Sequence, residues 1–308
     1  MRKLPNLIAT LALLLAVPLA AQDDPAALVI RLQGDVQIRQ SGADAADAVV
    51  GDRLMAGDEV LPTAGARAFL ITRTGATQQV TEATTVASPP AGQSSDMFAR
   101  ALSTLAQAAT TDARNAGGRQ GMIRPIPGEP VLVAPRNGLT VTSARPTFSW
   151  MAVEGATGYT IQVRRVDPAG ERPMRFQLGN QTEWTLPDSV AELTPGGEYA
   201  WTVAPMGGRP TREQRFHVID PSVQTELQGY LDQVVDMGLD PQGDGLFLTA
   251  VIYRDMDLFY EAEDALERLE EAGDLSAELY LLKGEILNYL GRSEEATEAF
   301  NKADELMR

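Results

Sequence analysis

The period of the hydrophobic positions changes along this chain, from two near the start to three and four at the end. Leu28, Ile30 and Leu32 alternate with Val29, Arg31 and Gln33, and Gly34-Asp35 turns the chain into Val36-Gln37-Ile38-Arg39. A period of two followed by a turn signal predicts paired strands. The apolar pairs Val49-Val50 and Leu54-Met55 follow among Gly51-Asp52, Gly57-Asp58 and Thr63-Ala64-Gly65, and two further strands, Ala68–Ile71 and Thr77–Val80, flank Thr74-Gly75. Strands this short between turns this close predict a small antiparallel β-roll or sandwich over residues 27–87. In such turns Gly supplies positive φ and Asp bonds its own backbone, which outweighs a metal-binding role for Asp52 and Asp58.

Residues 88–130 read as a linker, opened by Ser88-Pro89-Pro90-Ala91-Gly92 and closed by Gly117-Gly118, Pro125, Pro127 and Pro130. Within it, residues 97–109 have helical spacing, with Met97, Ala101, Leu105 and Ala108 along one face. Arg100 is the only basic residue there, so a helix laid on the preceding β domain is expected ahead of one on a membrane surface. Residues 131–219 then carry seven strand candidates: Val131–Val133, Thr147–Trp150, Gly158–Val166, Arg175–Leu178, Glu183–Leu186, Glu198–Val203 and Gln214–Ile219. Seven short strands separated by turn signals predict an Ig-like sandwich. Trp150, Tyr159 and Trp201 are expected in its core rather than on a sugar-stacking platform. Trp184 is the better candidate for an exposed aromatic.

After Asp220-Pro221 the period becomes helical. Val223, Leu227, Leu231, Val234 and Val235 place a capping helix at 222–237, with Ser222 at its N-terminus and Gly238 at its end. Residues 243–303 then look like one helical hairpin written twice. At an offset of 34 residues Ala250 falls on Gly284, Ala262 on Ala296, Leu266 on Phe300 and Leu269 on Ala303. Residues 277–290 and 293–306 form the second pair, where Gly284 permits close approach and Gly291 breaks the chain between helices. The first pair turns through Asp255-Met256-Asp257-Leu258, without a glycine.

Three resemblances follow from these residues. The run Gly34-Asp35-Val36, Val50-Gly51-Asp52-Arg53-Leu54, Ala56-Gly57-Asp58-Glu59-Val60 and Thr63–Leu70 is similar to the FecR domain family of bacterial envelope proteins. It departs from that family at Pro62 and at Thr74-Gly75. The chain lacks the cytoplasmic segment and spanning helix of the signalling regulators, so iron-uptake signalling is not implied. Pro135–Gly138, Arg145–Trp150, Gly155–Tyr159 and Tyr199–Val203 are similar to fibronectin type III-like modules of exported bacterial proteins. The helical period resembles tetratricopeptide (TPR) repeats, helix–turn–helix units of about 34 residues. That last resemblance implies protein binding on a concave face. The matching positions are Asp244, Phe247, Val251, Arg254 and Asp255, then Glu278, Leu281, Glu285, Asn288 and Tyr289. Of these, Phe247, Val251, Arg254, Glu278, Leu281, Glu285, Asn288 and Tyr289 are the candidate partner-binding residues. They make a mixed, net acidic groove without the basic clamp for a C-terminal carboxylate, which suits a basic or apolar segment.

Composition sharpens this picture. The formal charge of the 308 residues is −16, from 26 Lys+Arg against 42 Asp+Glu. Residues 220–308 hold 6 and 22 of these, so the whole excess lies in the helical region. That excess, with no basic patch interleaved with aromatics, argues against nucleic acid. Arg2 and Lys3, the apolar run 7–17 and Pro18-Leu19-Ala20-Ala21 read as an export signal over 1–21, placing the mature chain in the periplasm, with secretion a second option. No later segment is apolar for about 20 residues, so no transmembrane span is expected in the mature chain. There is no cysteine and a single histidine, His217, which leaves no basis for zinc sites, disulfides or thiol chemistry. No catalytic motif, Walker loop or dinucleotide fingerprint is found, and no cofactor, metal or catalytic residue is expected. The calcium-like Asp240–Gly245 has Val251 where a bidentate Glu is required, so it reads as an interhelical turn.

The expectation is a multidomain, non-enzymatic envelope adaptor: a FecR-like β domain at 27–87, a linker at 88–130, an Ig-like sandwich at 131–219 and a TPR-like helical domain at 222–308. The alternative is a peptidoglycan- or polysaccharide-binding protein that uses its two β domains, with the helices for self-association. At least three repeats are normally needed for independent stability, so packing of the helices against the β domains or another copy is an equal expectation.

Overall fold

A computed structural model describes residues 25–90, 92–110, 126–166 and 172–308. The expected export signal at 1–21 and linker positions 91 and 111–125 lie outside the described residues.

The first module holds eight strands: β1 Ala27–Gln33, β2 Val36–Arg39, β3 Ala45–Asp47, β4 Arg53–Leu54, β5 Glu59–Pro62, β6 Arg67–Thr72, β7 Thr77–Val80 and β8 Thr84–Thr85. They form two antiparallel sheets ordered β4-β1-β6-β7 and β3-β2-β5-β8. Strands β3, β5 and β8 were not among those expected: Ala45-Ala46-Asp47 and Thr84-Thr85 show no apolar alternation, and Pro62 ends β5 after a single apolar pair. Pairing of β3 and β5 with β2, and of β8 with β5, makes them strands. The start of β1 is buried on both faces. Ala27 and Val29 enter a core with Val36, Val60 and Leu70, whereas Leu28 and Ile30 enter a second core shared with the helices. The Asp side chains act inside turns: Asp58 accepts the Met55 N–H at 2.8 Å and the Ser41 N–H at 3.2 Å, and Asp52 accepts the Val49 N–H at 2.9 Å.

The second module is a sandwich of β9 Leu132–Ala134, β10 Leu139–Val141, β11 Thr147–Trp150, β12 Tyr159–Arg165, β13 Met174–Leu178, β14 Glu183–Thr185, β15 Glu198–Pro205 and β16 Gln214–Val218. Sheet β14-β11-β9 accompanies sheet β10-β16-β15-β12-β13. This is a fibronectin type III-like module with one strand more than the seven expected. The addition, β10, pairs in parallel with β16, and three residues are too few to show a period. Phe148, Trp150, Tyr159, Trp201 and Phe216 fill the core, with Phe148 5.1 Å from Trp201 and Trp150 5.4 Å from Tyr159, each edge to face. Trp201 Nε1 donates to the Pro135 carbonyl at 2.9 Å, after a cis Ala134–Pro135 bond. Tyr199 Oη accepts the Thr194 N–H at 2.7 Å, the corner that ties such sandwiches together. Trp184, expected to be exposed, is half-buried because its ring lies 4.5 Å from Phe176.

Among the described residues the helices are α1 Asp96–Ala108, α2 Pro221–Asp236, α3 Leu246–Asp255, α4 Phe259–Ala272, α5 Ala277–Tyr289 and α6 Ser293–Leu306. Asp220 rather than Ser222 caps α2: its carboxylate accepts the Ser222 N–H, and Pro221 occupies the first helical turn, where a missing N–H costs nothing. The 34-residue offset persists in three dimensions, since α4 and α6 begin at Phe259 and Ser293 and end at Ala272 and Leu306. Asp257 (φ 56) takes the left-handed turn position that Gly291 (φ 70) takes in the second hairpin. Asp240 and Asp244 close the turn before α3, Asp244 accepting the Asp240 N–H at 2.7 Å.

Both β modules touch the hairpins. Val50 donates to the Asp274 carbonyl at 3.2 Å and accepts from the Ser276 N–H at 2.8 Å, a short parallel bridge. From the sandwich, the Arg136 N–H donates to Tyr260 Oη at 2.9 Å, and the Thr142 hydroxyl meets the Glu261 carboxylate.

Candidate docking groove

Helix α1 begins at Ser95, whose hydroxyl accepts the Phe98 N–H at 3.2 Å, with Asp96 complementing the positive end of the first turn. Its apolar face, Met97, Phe98, Ala101, Leu105 and Ala108, is wholly buried. The expectation that this helix lies on the preceding β domain is only partly met. The apolar face enters the core that holds Leu28, Ile30 and Ile71, but α1 is laid mainly across α5 and α3. An apolar stripe is satisfied by any apolar surface of matching width, so its period alone does not select the β sheet over the two helices.

Polar contacts fix its position. Asp255, at the end of α3, accepts from Arg100 at 3.0 Å and from the Thr104 hydroxyl at 2.7 Å. The Arg100 guanidinium also lies 4.3 Å from the centroid of the Tyr230 ring on α2. One residue away, Arg254 donates to Gln107 Oε1 at 3.2 Å and to Glu285 Oε1 at 2.7 Å. The Arg254 and Glu285 side chains retain only 16% and 6% of their exposure, so this ion pair is shielded from the solvent screening that weakens surface pairs. Glu285 Oε2 and Arg254 Nε have no hydrogen-bond partner among the described residues.

The eight candidate partner-binding residues therefore divide. Phe247, Val251, Leu281 and Glu285 are buried. Arg254 is half-buried and bonded to α1. Tyr289 stacks on Phe259 at 4.2 Å, bracing the second hairpin against the first, and burial raises its phenol pKa. Asn288 is half-buried. Glu278 faces the first β module instead, 4.0 Å from Arg53. There the Asp52 carboxyl is pushed up to about 6 by burial, with Glu278 adding to the rise and the Val49 N–H opposing it. The sequence reading missed Arg100, Thr104, Gln107 and Tyr230. Thr104 carried a usable signal: it falls on the apolar stripe seven residues after Met97, so it needs a buried partner.

Among the described residues no three His, Asp or Glu side chains are grouped to hold a metal ion, and no helix is long and apolar enough to cross a membrane. The surface of α3 and α5 beneath α1 combines an apolar floor, the Asp255 carboxylate at its edge and the shielded Arg254–Glu285 ion pair.

No protein-family model matches this chain, and no curated protein does. Among solved structures, the FN5 domain of Drosophila Lar is 19% identical, with an alignment covering 30% of this chain and 98% of that domain and a TM-score of 0.24. The fn3 domain of the human collagen alpha-1(XX) chain is 25% identical, covering 32% of this chain and 90% of that one, also with a TM-score of 0.24. The strand order and the Tyr199 corner, rather than these scores, identify residues 132–218 as a fibronectin type III-like module.

Proposed function

We propose that this chain is an exported, non-enzymatic adaptor of the bacterial cell envelope, with a FecR-like module, a fibronectin type III-like spacer and a TPR-like module that docks a protein partner. The observation that carries this reading is the groove across α3 and α5, which accepts a helix through an apolar floor and the charged groups Asp255 and Arg254–Glu285. Concentration of the whole charge excess in the helical region supports a partner with a basic or apolar segment. The polysaccharide-binding alternative has little aromatic surface to use, because Trp150, Tyr159 and Trp201 are core residues and Trp184 is half-buried against Phe176.

The experiment is photo-crosslinking in intact cells from Asn288 at the groove rim, with Gln162 on the sandwich as control. A protein adduct at Asn288 that is absent at Gln162 and weakens as salt rises from about 0.1 to 1 M, where screening shortens from about 10 to 3 Å, supports the adaptor. Recovery of the chain in the cytoplasm, or adducts confined to Gln162, would contradict it.

A further inference from the structure

The groove read as a docking surface is already full. Helix α1 places Met97, Phe98, Ala101, Leu105 and Ala108 on its floor and Arg100, Thr104 and Gln107 on its charged groups. We propose that α1 is a built-in occupant of the partner groove, so that a partner's helix and α1 compete for the same side chains of α3 and α5. This rests on the reading of the hairpins as a docking module.

The occupant's own contacts define the partner. It is an amphipathic helix with apolar residues spaced as in α1 and a cation at the Arg100 position. There the cation meets both Asp255 and the Tyr230 ring, an ion pair and a cation–π contact from one group. The fit of α1 is incomplete. Glu285 is 4% exposed, yet among the described residues its Oε2 has no hydrogen-bond partner, and neither has Arg254 Nε. A buried acceptor left unbonded is costly, so a helix that brings a donor to Glu285 gains what α1 forgoes. What α1 has instead is covalent attachment, since a tethered ligand acts at an effective concentration in the millimolar range. A free helix therefore exchanges with α1 only if it fits better or if the tethered helix is weakened.

Two measurements on the full chain test this. The first is native-state hydrogen exchange of the wild type. Competition requires that amides of 96–108 exchange faster than those of α3 and α5, through an opening that leaves the hairpins folded. Equal protection of all three helices would overturn the proposal, because α1 would then leave only on global unfolding. The second is fluorescence anisotropy with a labelled peptide of residues 94–110. Arg100→Glu in the full chain weakens the tethered helix, and this variant should bind the peptide about tenfold more tightly than wild type. The same peptide carrying Arg100→Glu should not bind it. A folded variant that binds no better than wild type would overturn the proposal. If Arg100→Glu does not fold, Thr104→Val, which removes one hydrogen bond without adding charge, is measured in its place with the same two outcomes. None of these readouts involves a cellular partner. Failure of the adaptor reading shows in the crosslinking, and failure of the competition shows here.

Discussion

The two helical hairpins keep the 34-residue offset at the ends of their first helices and along their second, although α3 starts at Leu246, three residues later than α5 would place it, and their side chains differ. In the second, Gly284 lies so close to Phe300 that an added Cβ would sit 2.5 Å from the ring. The equivalent positions in the first hold Ala250 and Leu266, both fully buried. A larger residue on the first helix of the pair is matched by a smaller one on the second, and the reverse. At the turn, Asp257 and Gly291 reach the same left-handed conformation, although only glycine does so without steric cost. The repeat is therefore a constraint on summed volume and on one dihedral angle, and not on residue identity.

The largest expected effect comes from removing volume where the first hairpin keeps it. Leu266→Ala should cost about 2–5 kcal/mol, read from urea denaturation, since Leu266 is fully buried. Adding volume where the second hairpin has none comes next. Gly284→Ala should destabilise, because overpacking costs about 1–3 kcal/mol and the gain of Ala over Gly in a helix is only about 1. Adding Phe300→Leu should recover part of the loss, since the second hairpin then carries the first one's residues. Full stability of Gly284→Ala alone would show that the volumes are not coupled.

The turn gives a smaller contrast. Gly291→Ala should lose about 1–2 kcal/mol through its positive φ, and its Cβ would also enter the Arg136 guanidinium. Asp257→Gly should stay within about 1 kcal/mol of wild type, because relief of strain and added unfolded-state entropy oppose each other. Equal losses at the two sites would contradict the equivalence of the turns.

The smallest effect is a pH dependence that also separates the hairpins. Asp52, beside the start of the second, has its carboxyl raised from 3.8 to about 6 by burial. A carboxyl raised on folding takes up its proton in the folded state first. Its contribution to stability is complete below the ordinary value and is lost as pH rises through about 6. Melting temperature should therefore increase on acidification from about pH 7 to 5, and Asp52→Asn should flatten that slope. Glu263 on α4 is raised too, by burial and then by the neighbouring Glu267, against the pull of Arg292, and adds in the same direction.

Much of this was legible in the residues. The offset of Ala250 to Gly284 and Leu266 to Phe300 is visible because each position recurs on the same helical face. The missing glycine at Asp257 marks the sequence as different while the backbone is not, since Asp tolerates the left-handed region better than most residues. The seat of α1 was not legible. Periodicity shows that Met97, Ala101, Leu105 and Ala108 share a face, but not which surface that face meets. The distance along the chain from Arg100 to Asp255 carries no local signal. The double burial of β1 was hidden similarly, because Leu28 and Ile30 would alternate identically beneath water or beneath helices.

The central claim is that α1 is seated in the groove of the hairpins. A double-mutant cycle on Arg100→Ala and Asp255→Ala in the full chain tests it most directly, by urea denaturation of the four proteins. With the ion pair at 3.0 Å and both side chains largely shielded, the coupling should fall within about 0.5–3 kcal/mol. Additive losses, with coupling indistinguishable from zero, would place α1 elsewhere and leave the groove open.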